Sequence, residues 1–386
     1  MPTFPASRLA DIAPFHVMEL MARAKTLEAE GRDIIHMEVG EPDFPTPEPI
    51  IAAAQAQLAT GRVYYTAALG LPELRRAIAA FYATRYGISV PASRIVVTAG
   101  ASGALLLAMA CLSEPASEWL LADPGYPCNR NFVRSFEGVP VAVPVHAENN
   151  FQPTLADLER YWNEHTAGAL LASPANPTGT LLDDASLAAM AEFVRQQGGQ
   201  LIVDEIYHGL TYEREVPTAL QFGDDIFVVQ SFSKYFNMTG WRLGWLVVPE
   251  RFSRDIEKLA QNLFISPSTP AQHAALAAFE PATISILEAR RNEFRRRRDF
   301  LAPALADLGF RLAPKPEGAF YIYANCAELT DNSDRFAREL LESAGVAITP
   351  GLDFGSNAPE KHLRFAYTAG VERLTEAVDR IRRFIG

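Results

Sequence analysis

The feature that most constrains this chain is an alternation of structural period along its middle. Between residues 94 and 230, short β-rich runs are separated by longer amphipathic stretches. Strands are expected at Arg94–Thr98, Trp119–Ala122, Val139–Val145, Gly168–Ala172, Gln200–Val203 and Ile226–Val229. Helices are expected at Ala101–Leu112, Leu155–Glu164 and Ala185–Gln197. Strands alternating with helices build βαβ units, so the expectation is an α/β fold with a mainly parallel sheet. After residue 285 the texture changes. A long charged helix pattern runs from Ile286 to Leu308, followed by strand-like Ala319–Tyr323, a helix near Asp334–Ser343, strand-like Leu363–Tyr367 and a last helix from Val371. This reads as a smaller α+β domain, and a chain of 386 residues has room for two or three domains. The Pro-rich stretch Glu41–Pro49 reads as a linker between an N-terminal segment and the large domain.

Composition excludes several classes. A formal net charge of −11 argues against a uniformly basic surface, so no nucleic-acid partner is expected. The Arg-rich stretch Arg290–Arg298 reads as a solvated helix, because consecutive arginines point around the axis and are interleaved with Glu293 near Glu288 and Asp299. No run of about 18 apolar residues occurs, so no membrane span is expected. Cys111, Cys128 and Cys326 are far apart and odd in number, which fits a reducing, cytoplasmic setting. They form no metal-type pair. Glu205 and His208 invite a metal reading but lack a second ligand cluster, so no metal is expected.

In an open α/β sheet, ligands bind beyond the carboxyl ends of the strands. The residues just past each expected strand are therefore informative. Ala99–Gly103 opens a helix with small residues, leaving backbone N–H groups free for an anion; a tight turn accounts for the segment equally well. Asp123-Pro-Gly-Tyr126 follows the second strand and Ser173-Pro-Ala-Asn-Pro-Thr-Gly179 the fourth. Asp204 ends an apolar run, so its carboxylate sits near the interior and needs a cationic or strongly donating partner such as a protonated ring nitrogen; Tyr207 is within reach of the same place. Lys234 follows Ser231-Phe-Ser, flanked by aromatics. The chain has 30 Arg but only five Lys, and burial lowers a lysine pKa toward a usable nucleophile. Arg242, in Gly-Trp-Arg-Leu-Gly244, reads either as a cation near the anion site or as an arginine packed under Trp241.

Together these residues resemble the class I/II aminotransferases, aspartate/aromatic aminotransferase-like enzymes of fold type I that use pyridoxal 5′-phosphate (PLP). The resemblance rests on Gly40–Pro47, Tyr65–Arg75, Asp123–Pro127, Asn176–Gly179, Asp204–Tyr207, Ser231–Lys234, Gly240–Gly244 and Leu363–Tyr367, in the family's order and nearly end to end. It implies a three-layer α/β/α large domain at residues 46–285. The N-terminal segment 1–45 and residues 286–386 would form the small domain. It implies that Lys234 forms the Schiff base with PLP and that Asp204 partners the pyridinium nitrogen. Asn176 and Tyr207 would donate to the ring's phenolic oxygen, and Tyr126 would stack on the ring. Ala101, Ser102, Ser231, Ser233 and Arg242 would hold the phosphate. Tyr65 would reach the phosphate of the other subunit, which implies a homodimer. Arg364 would grip the substrate α-carboxylate, with Gly40 and Asn176 beside it.

The implied reaction moves an amino group between an L-amino acid and a 2-oxo acid. A carbon–sulfur β-lyase would use the same lysine, aspartate and arginine, because fold does not decide reaction. A non-catalytic PLP-binding regulator is the third reading; such regulators carry an appended DNA-binding domain, for which residues 1–386 leave no room beside the aminotransferase pattern. The side-chain pocket is the least specified part. Dicarboxylate-specific relatives often place an arginine where Ser266 stands, while Ile12, Phe15 and Tyr65 suit an apolar or aromatic substrate side chain.

Overall fold

The structure is a computed structural model that describes residues 5–12, 14–312 and 314–386. After a 3-10 helix at Ser7–Asp11 come a helix, His16–Ala29, and a short strand β1, Ile35–His36. Seven strands then form the large sheet: β2 Ile95–Thr98, β3 Glu118–Asp123, β4 Val139–Pro144, β5 Thr166–Ala172, β6 Gln200–Asp204, β7 Phe227–Ser231 and β8 Gly244–Val247. Their order across the sheet is β2-β8-β7-β6-β5-β3-β4. All pairs are parallel except the two made by β8, which runs against both β2 and β7.

The strands β6 and β7 are buried almost throughout, as expected of a sheet covered on both faces. Alternate residues feed opposite layers. Val97, Leu120, Leu171, Val203 and Val228 enter one core, with Leu74, Ile78, Met190 and Phe294 of the covering helices. Val96, Leu121, Leu170, Ile202 and Val229 enter the other, with Leu105, Ala108, Val133 and Ile256. The result is the α/β fold that the alternation of strands and helices predicts, in the three-layer α/β/α form that the family resemblance implies.

Strand β8 is the element that periodicity does not anticipate. Residues 232–243 join it to β7 with only a single 3-10 turn, Thr239–Trp241, so no crossover helix returns the chain to the other sheet end and β8 pairs antiparallel. Gly244 is needed there: a Cβ would lie 2.6 Å from the Gln230 carbonyl and 2.8 Å from the Gly100 backbone.

Toward the C-terminus, β9 Tyr321–Asn325, β10 Val346–Ala347, β11 Thr349–Pro350 and β12 His362–Ala366 come next. β11, β12 and β9 form an antiparallel sheet, while β10 pairs in parallel with β1. Residues from both ends of the chain thus share one cluster, in which Leu20, Ala24 and Ile34 pack on Leu341 and Ala347.

The Arg-rich helix, Pro281–Asp307, corrects one expectation. It is not simply solvated: Arg297 and Arg298 are buried. Arg297 holds Asp43 through two hydrogen bonds of 2.7 and 3.0 Å, and Arg298 reaches Glu213 at 2.6 Å and the Pro316 carbonyl at 3.0 Å. Arg290 donates to the Pro45 carbonyl and to Asn237. One face of this helix therefore anchors the Pro-rich segment 41–49 near the edge of the large sheet. Arg295 and Arg296 stay on the solvent side, as expected for all of them.

Candidate active site

The strands β2, β3, β5, β6 and β7 all end at the same edge of the sheet, and a cavity of about 270 Å³ opens there. Gly40, Ala101, Ser102, Tyr126, Asn176, Asp204, Tyr207, Ser231, Ser233, Lys234, Arg242 and Arg364 all line it. These are every residue assigned to the site from sequence except Tyr65. That side chain is 81% exposed, outside the cavity. Ile12 does not line the cavity either, while Phe15 does.

Asp204 ends β6 with its carboxylate buried. One oxygen accepts the Ile206 N–H at 3.0 Å, and among the described residues no cation lies within ion-pair distance. Burial pushes its pKa up to about 6, against the pull of that N–H and of the Lys234 charge. Lys234 lies in the β7–β8 connection and donates to the Gly40 carbonyl at 2.5 Å. Burial pulls its amine down to about 8; Arg364 and Arg242 push the same way, and Glu41 opposes. A lysine with that pKa supplies free amine near neutral pH.

Ala101 and Ser102 stand in the first turn of the helix Gly100–Leu112, whose first N–H groups have no acceptor within the helix and carry partial positive charge. The Ser231 hydroxyl donates to Ser233 at 2.9 Å. Arg242 sits beside this turn: a Cβ on Gly100 would meet its guanidinium at 2.7 Å. Its only acceptor among the described residues is the Thr239 carbonyl, at 3.0 Å. The alternative of an arginine packed under Trp241 does not hold, since Arg242 is exposed and the Trp241 indole instead donates to Thr46.

Arg364 projects from β12. Register puts Thr349 of β11 and Tyr323 of β9 directly opposite it, on the same face of the small sheet. Arg364 donates to Asn176 at 2.9 Å, to the Glu38 carbonyl at 2.5 Å and to the Thr349 hydroxyl at 3.3 Å. Its Nε is buried and has no partner among the described residues. The guanidinium lies 4.3 Å from the centre of the Tyr321 ring and 4.9 Å from that of Phe354.

Tyr321 is a site residue that sequence reasoning missed, as are Val17, Met18 and Met21 on the side of the N-terminal helix. Its hydroxyl shares a 2.8 Å hydrogen bond with that of Tyr207, and it stands so close to Gly40 that a Cβ there would fall 2.2 Å from the hydroxyl. The available signal was strand alternation in Ala319–Tyr323, which puts Tyr321 and Tyr323 on one face.

Glu205 and His208 do not join the cavity. Glu205 accepts from Thr218 and from the Ala219 N–H, and His208 meets Tyr86 at 3.3 Å. Burial pushes the Glu205 carboxyl up and the His208 imidazole down, each toward its uncharged form. Among the described residues no three metal-type side chains gather at one point, and no helix is long and apolar enough to cross a membrane.

The donor set suits a particular kind of ligand. A buried carboxylate without a cation, Asp204, lines the cavity. A guanidinium without an anion, Arg242, lies beside the open helix start at Gly100. A lysine amine lies in the same cavity. PLP carries a ring nitrogen that takes a proton, a phosphate and an aldehyde, and so complements all three. The family described as "Aminotransferase class I and II" matches residues 32–381. A valine–pyruvate aminotransferase of Mycobacterium tuberculosis is 38% identical over 375 residues, 96% of either chain. Among solved structures, an aminotransferase of Mycobacterium tuberculosis superposes with a TM-score of 0.96 at 38% identity over 99% of each chain. The aspartate aminotransferase of Thermus thermophilus with maleate does so with 0.93 at 32% identity, covering 98% of this chain and 99% of its own.

Proposed function

Since the chain belongs to the class I and II aminotransferases and is a PLP-dependent transaminase, we propose that it acts on L-amino acids with apolar side chains, through the residues that share the cavity at the sheet edge. The observation that carries this reading is the composition of that cavity. Its cations are Lys234, Arg242 and Arg364, and the side facing the N-terminal helix is formed by Phe15, Val17, Met18 and Met21. Among the described residues that line it, no cation remains for a second carboxylate. The valine–pyruvate specificity named for one relative agrees.

Bound PLP supplies an electron sink for the electrons left when the substrate α-proton departs. Asp204 keeps a proton on the ring nitrogen by accepting from it, which also gives the buried carboxylate the cation it lacks. Ala101, Ser102, Ser231, Ser233 and Arg242 bind the phosphate. Tyr126 covers one face of the ring, and Asn176 and Tyr207 donate at its oxygen. Arg364 binds the substrate α-carboxylate; its free Nε and the Nη2 released from the Glu38 carbonyl would form the two parallel bonds that fix orientation. Lys234 holds the cofactor in the resting enzyme and, once freed by the substrate amine, moves the proton from the α-carbon. Gly40 lends its carbonyl to the lysine amine, and its missing side chain makes room for Tyr321.

Two further parts of the proposal concern assembly. Residues 46–285 form the large domain, and 1–45 with 286–386 form the small one, a division supported by the pairing of β1 with β10. The enzyme is a homodimer in which Tyr65 reaches the partner's phosphate site. Support comes from a patch of exposed apolar side chains: Tyr64, Tyr65, Leu263, Phe264 and Ile265 stand near one another, joined by the Thr269 hydroxyl on the Tyr64 carbonyl. The three unpaired cysteines support a cytoplasmic location.

The test is the visible absorption of the PLP-loaded protein against a panel of L-amino acids, with no oxo acid added. Valine, leucine and phenylalanine are expected to bleach it fastest and to yield the matching 2-oxo acids, with aspartate slow. Aspartate as the fastest donor would overturn the substrate class. Release of ammonia in place of a stable amino form of the cofactor would overturn transamination by these residues.

A further inference from the structure

The N-terminal wall of the cavity is held from a distance. The helix His16–Ala29 begins without any cap from its own Phe15. Its first two N–H groups, of His16 and Val17, are instead accepted at 2.8 Å each by the two carboxylate oxygens of Asp353, a side chain that is 2% exposed. A carboxylate at a helix start satisfies orphan donors and meets the positive end of the helix dipole. The pinned residues are flanked by the wall itself. Phe15, just before them, sets its ring edge-on to Tyr126 with centroids 6.3 Å apart, while Val17, Met18 and Met21 face the cavity.

The segment that carries Asp353 is itself fixed at three places. Arg130 donates to the Asp353 carbonyl at 3.2 Å. Phe354 packs on the Arg364 guanidinium. Ser356 and Asn357 hold the buried Asp123 carboxylate at the end of β3, with the Ser356 hydroxyl at 2.8 Å. Gly355 is required for that contact, since a Cβ there would overlap the Asp123 carboxylate at 1.7 Å. One segment therefore joins the group that reads the α-carboxylate to the wall that faces the substrate side chain.

We propose that Asp353 is a positioning residue for side-chain selection: by pinning the start of the first helix it seats the apolar wall in advance, so that a long apolar side chain binds without having to order it. This rests on the cavity taking apolar amino acids. Asp353 touches neither substrate nor cofactor, and its effect should scale with how far a substrate side chain reaches. L-Alanine and L-leucine differ in that reach by the three carbons that leucine adds beyond Cβ.

The experiment is the single-turnover bleaching of the PLP-loaded enzyme by L-leucine and by L-alanine, comparing wild type with Asp353→Ala and Asp353→Asn. Asp353→Ala is expected to raise the half-saturating concentration of leucine about tenfold, the loss of two hydrogen bonds of ordinary net strength, with the maximal rate within about twofold. Alanine should shift by no more than about twofold. Asp353→Asn keeps one acceptor and should give an intermediate, about threefold effect on leucine. Equal shifts for both amino acids, or a loss of maximal rate shared by both, would overturn the proposal. Amide hydrogen exchange on the wild type decides it independently if a variant misfolds. The His16 and Val17 amides should be protected, unlike ordinary first-turn amides, and rapid exchange there would overturn the pin. Failure of wild type to use either amino acid would count against the proposed substrate class and leave the exchange result to judge Asp353.

Discussion

At the scale of single residues, two groups in the cavity are held in states that water would not give them. Lys234 loses its solvation and faces two guanidinium groups, so its amine is half neutral near pH 8. Asp204 loses its solvation too, and its partner has to come from a ligand. The sign of the lysine shift has a measurable consequence. Only the neutral amine attacks a carbonyl. Covalent capture of PLP by the cofactor-free protein should therefore accelerate as pH rises and level off above about 8. Stopped-flow absorption across pH 6 to 10 checks this, and a rate still climbing at pH 10 would place the amine in ordinary solvent. Lys234→Ala should bind PLP without covalent capture and lose turnover by at least about 10³-fold if, as proposed, this lysine is both anchor and proton carrier.

At the scale of elements, the first strand carries a charge chain that reaches Arg364. His36 of β1 bonds the fully buried Glu38 at 2.7 Å and Glu28 at 3.1 Å. The bond to Glu38 raises the imidazole to about 9 in spite of its partial burial. The carbonyl of Glu38 is in turn an acceptor of Arg364. The folded chain thus keeps a proton on His36 that the unfolded chain releases between pH 6.5 and about 9. The stabilisation is complete below pH 6.5 and is lost as pH rises through about 9. Because a third of the imidazole is exposed, the pair is worth about 1 kcal/mol after solvent screening. His36→Gln should melt below wild type at pH 6, and the gap should close by pH 9.5. Melting curves at the two pH values decide it; a gap that persists at high pH would assign the loss to packing. Much of this level was readable in advance. The strand ends and the helix at Gly100 follow from periodicity and small residues. The reversed strand β8 was not readable, because its direction depends on how the short β7–β8 connection closes in space.

At the scale of the whole molecule, the cavity is built from parts far apart in the chain. Gly40 and Phe15 come from one end, Arg364 and Tyr321 from the other, and the lysine from the middle. The exposed patch around Tyr65 and Phe264 is the surface that the proposed dimer would cover. Sedimentation should give twice the 42.4 kDa chain mass. Phe264→Glu puts a charge into that patch and should release monomers that retain PLP poorly, because the partner's tyrosine is then missing. Tyr65→Phe should leave the dimer intact and weaken PLP about tenfold, the cost of one hydrogen bond to a charged group. A monomeric wild type that holds PLP tightly would remove Tyr65 from the site.

Local pattern in the chain was enough for the α/β alternation and for the polar residues at the strand ends, because periodicity and small residues at turns are short-range facts, while the three layers and the roles of those residues were implied only by the resemblance to the aminotransferases. It also marked Asp204 as a buried acid in need of a partner, since the apolar run before it carries the carboxylate into the interior. The surroundings of these groups came from tertiary packing. Tyr321 entered the site through the register of β9 on β12, and Arg297 and Arg298 left the solvent because the helix that carries them packs on Asp43 of the Pro-rich segment and on Glu213 and Pro316. Asp353 became the cap of a helix that starts more than three hundred residues earlier. Contacts of that separation depend on how the two ends of the chain fold together, and no local pattern in the sequence encodes them.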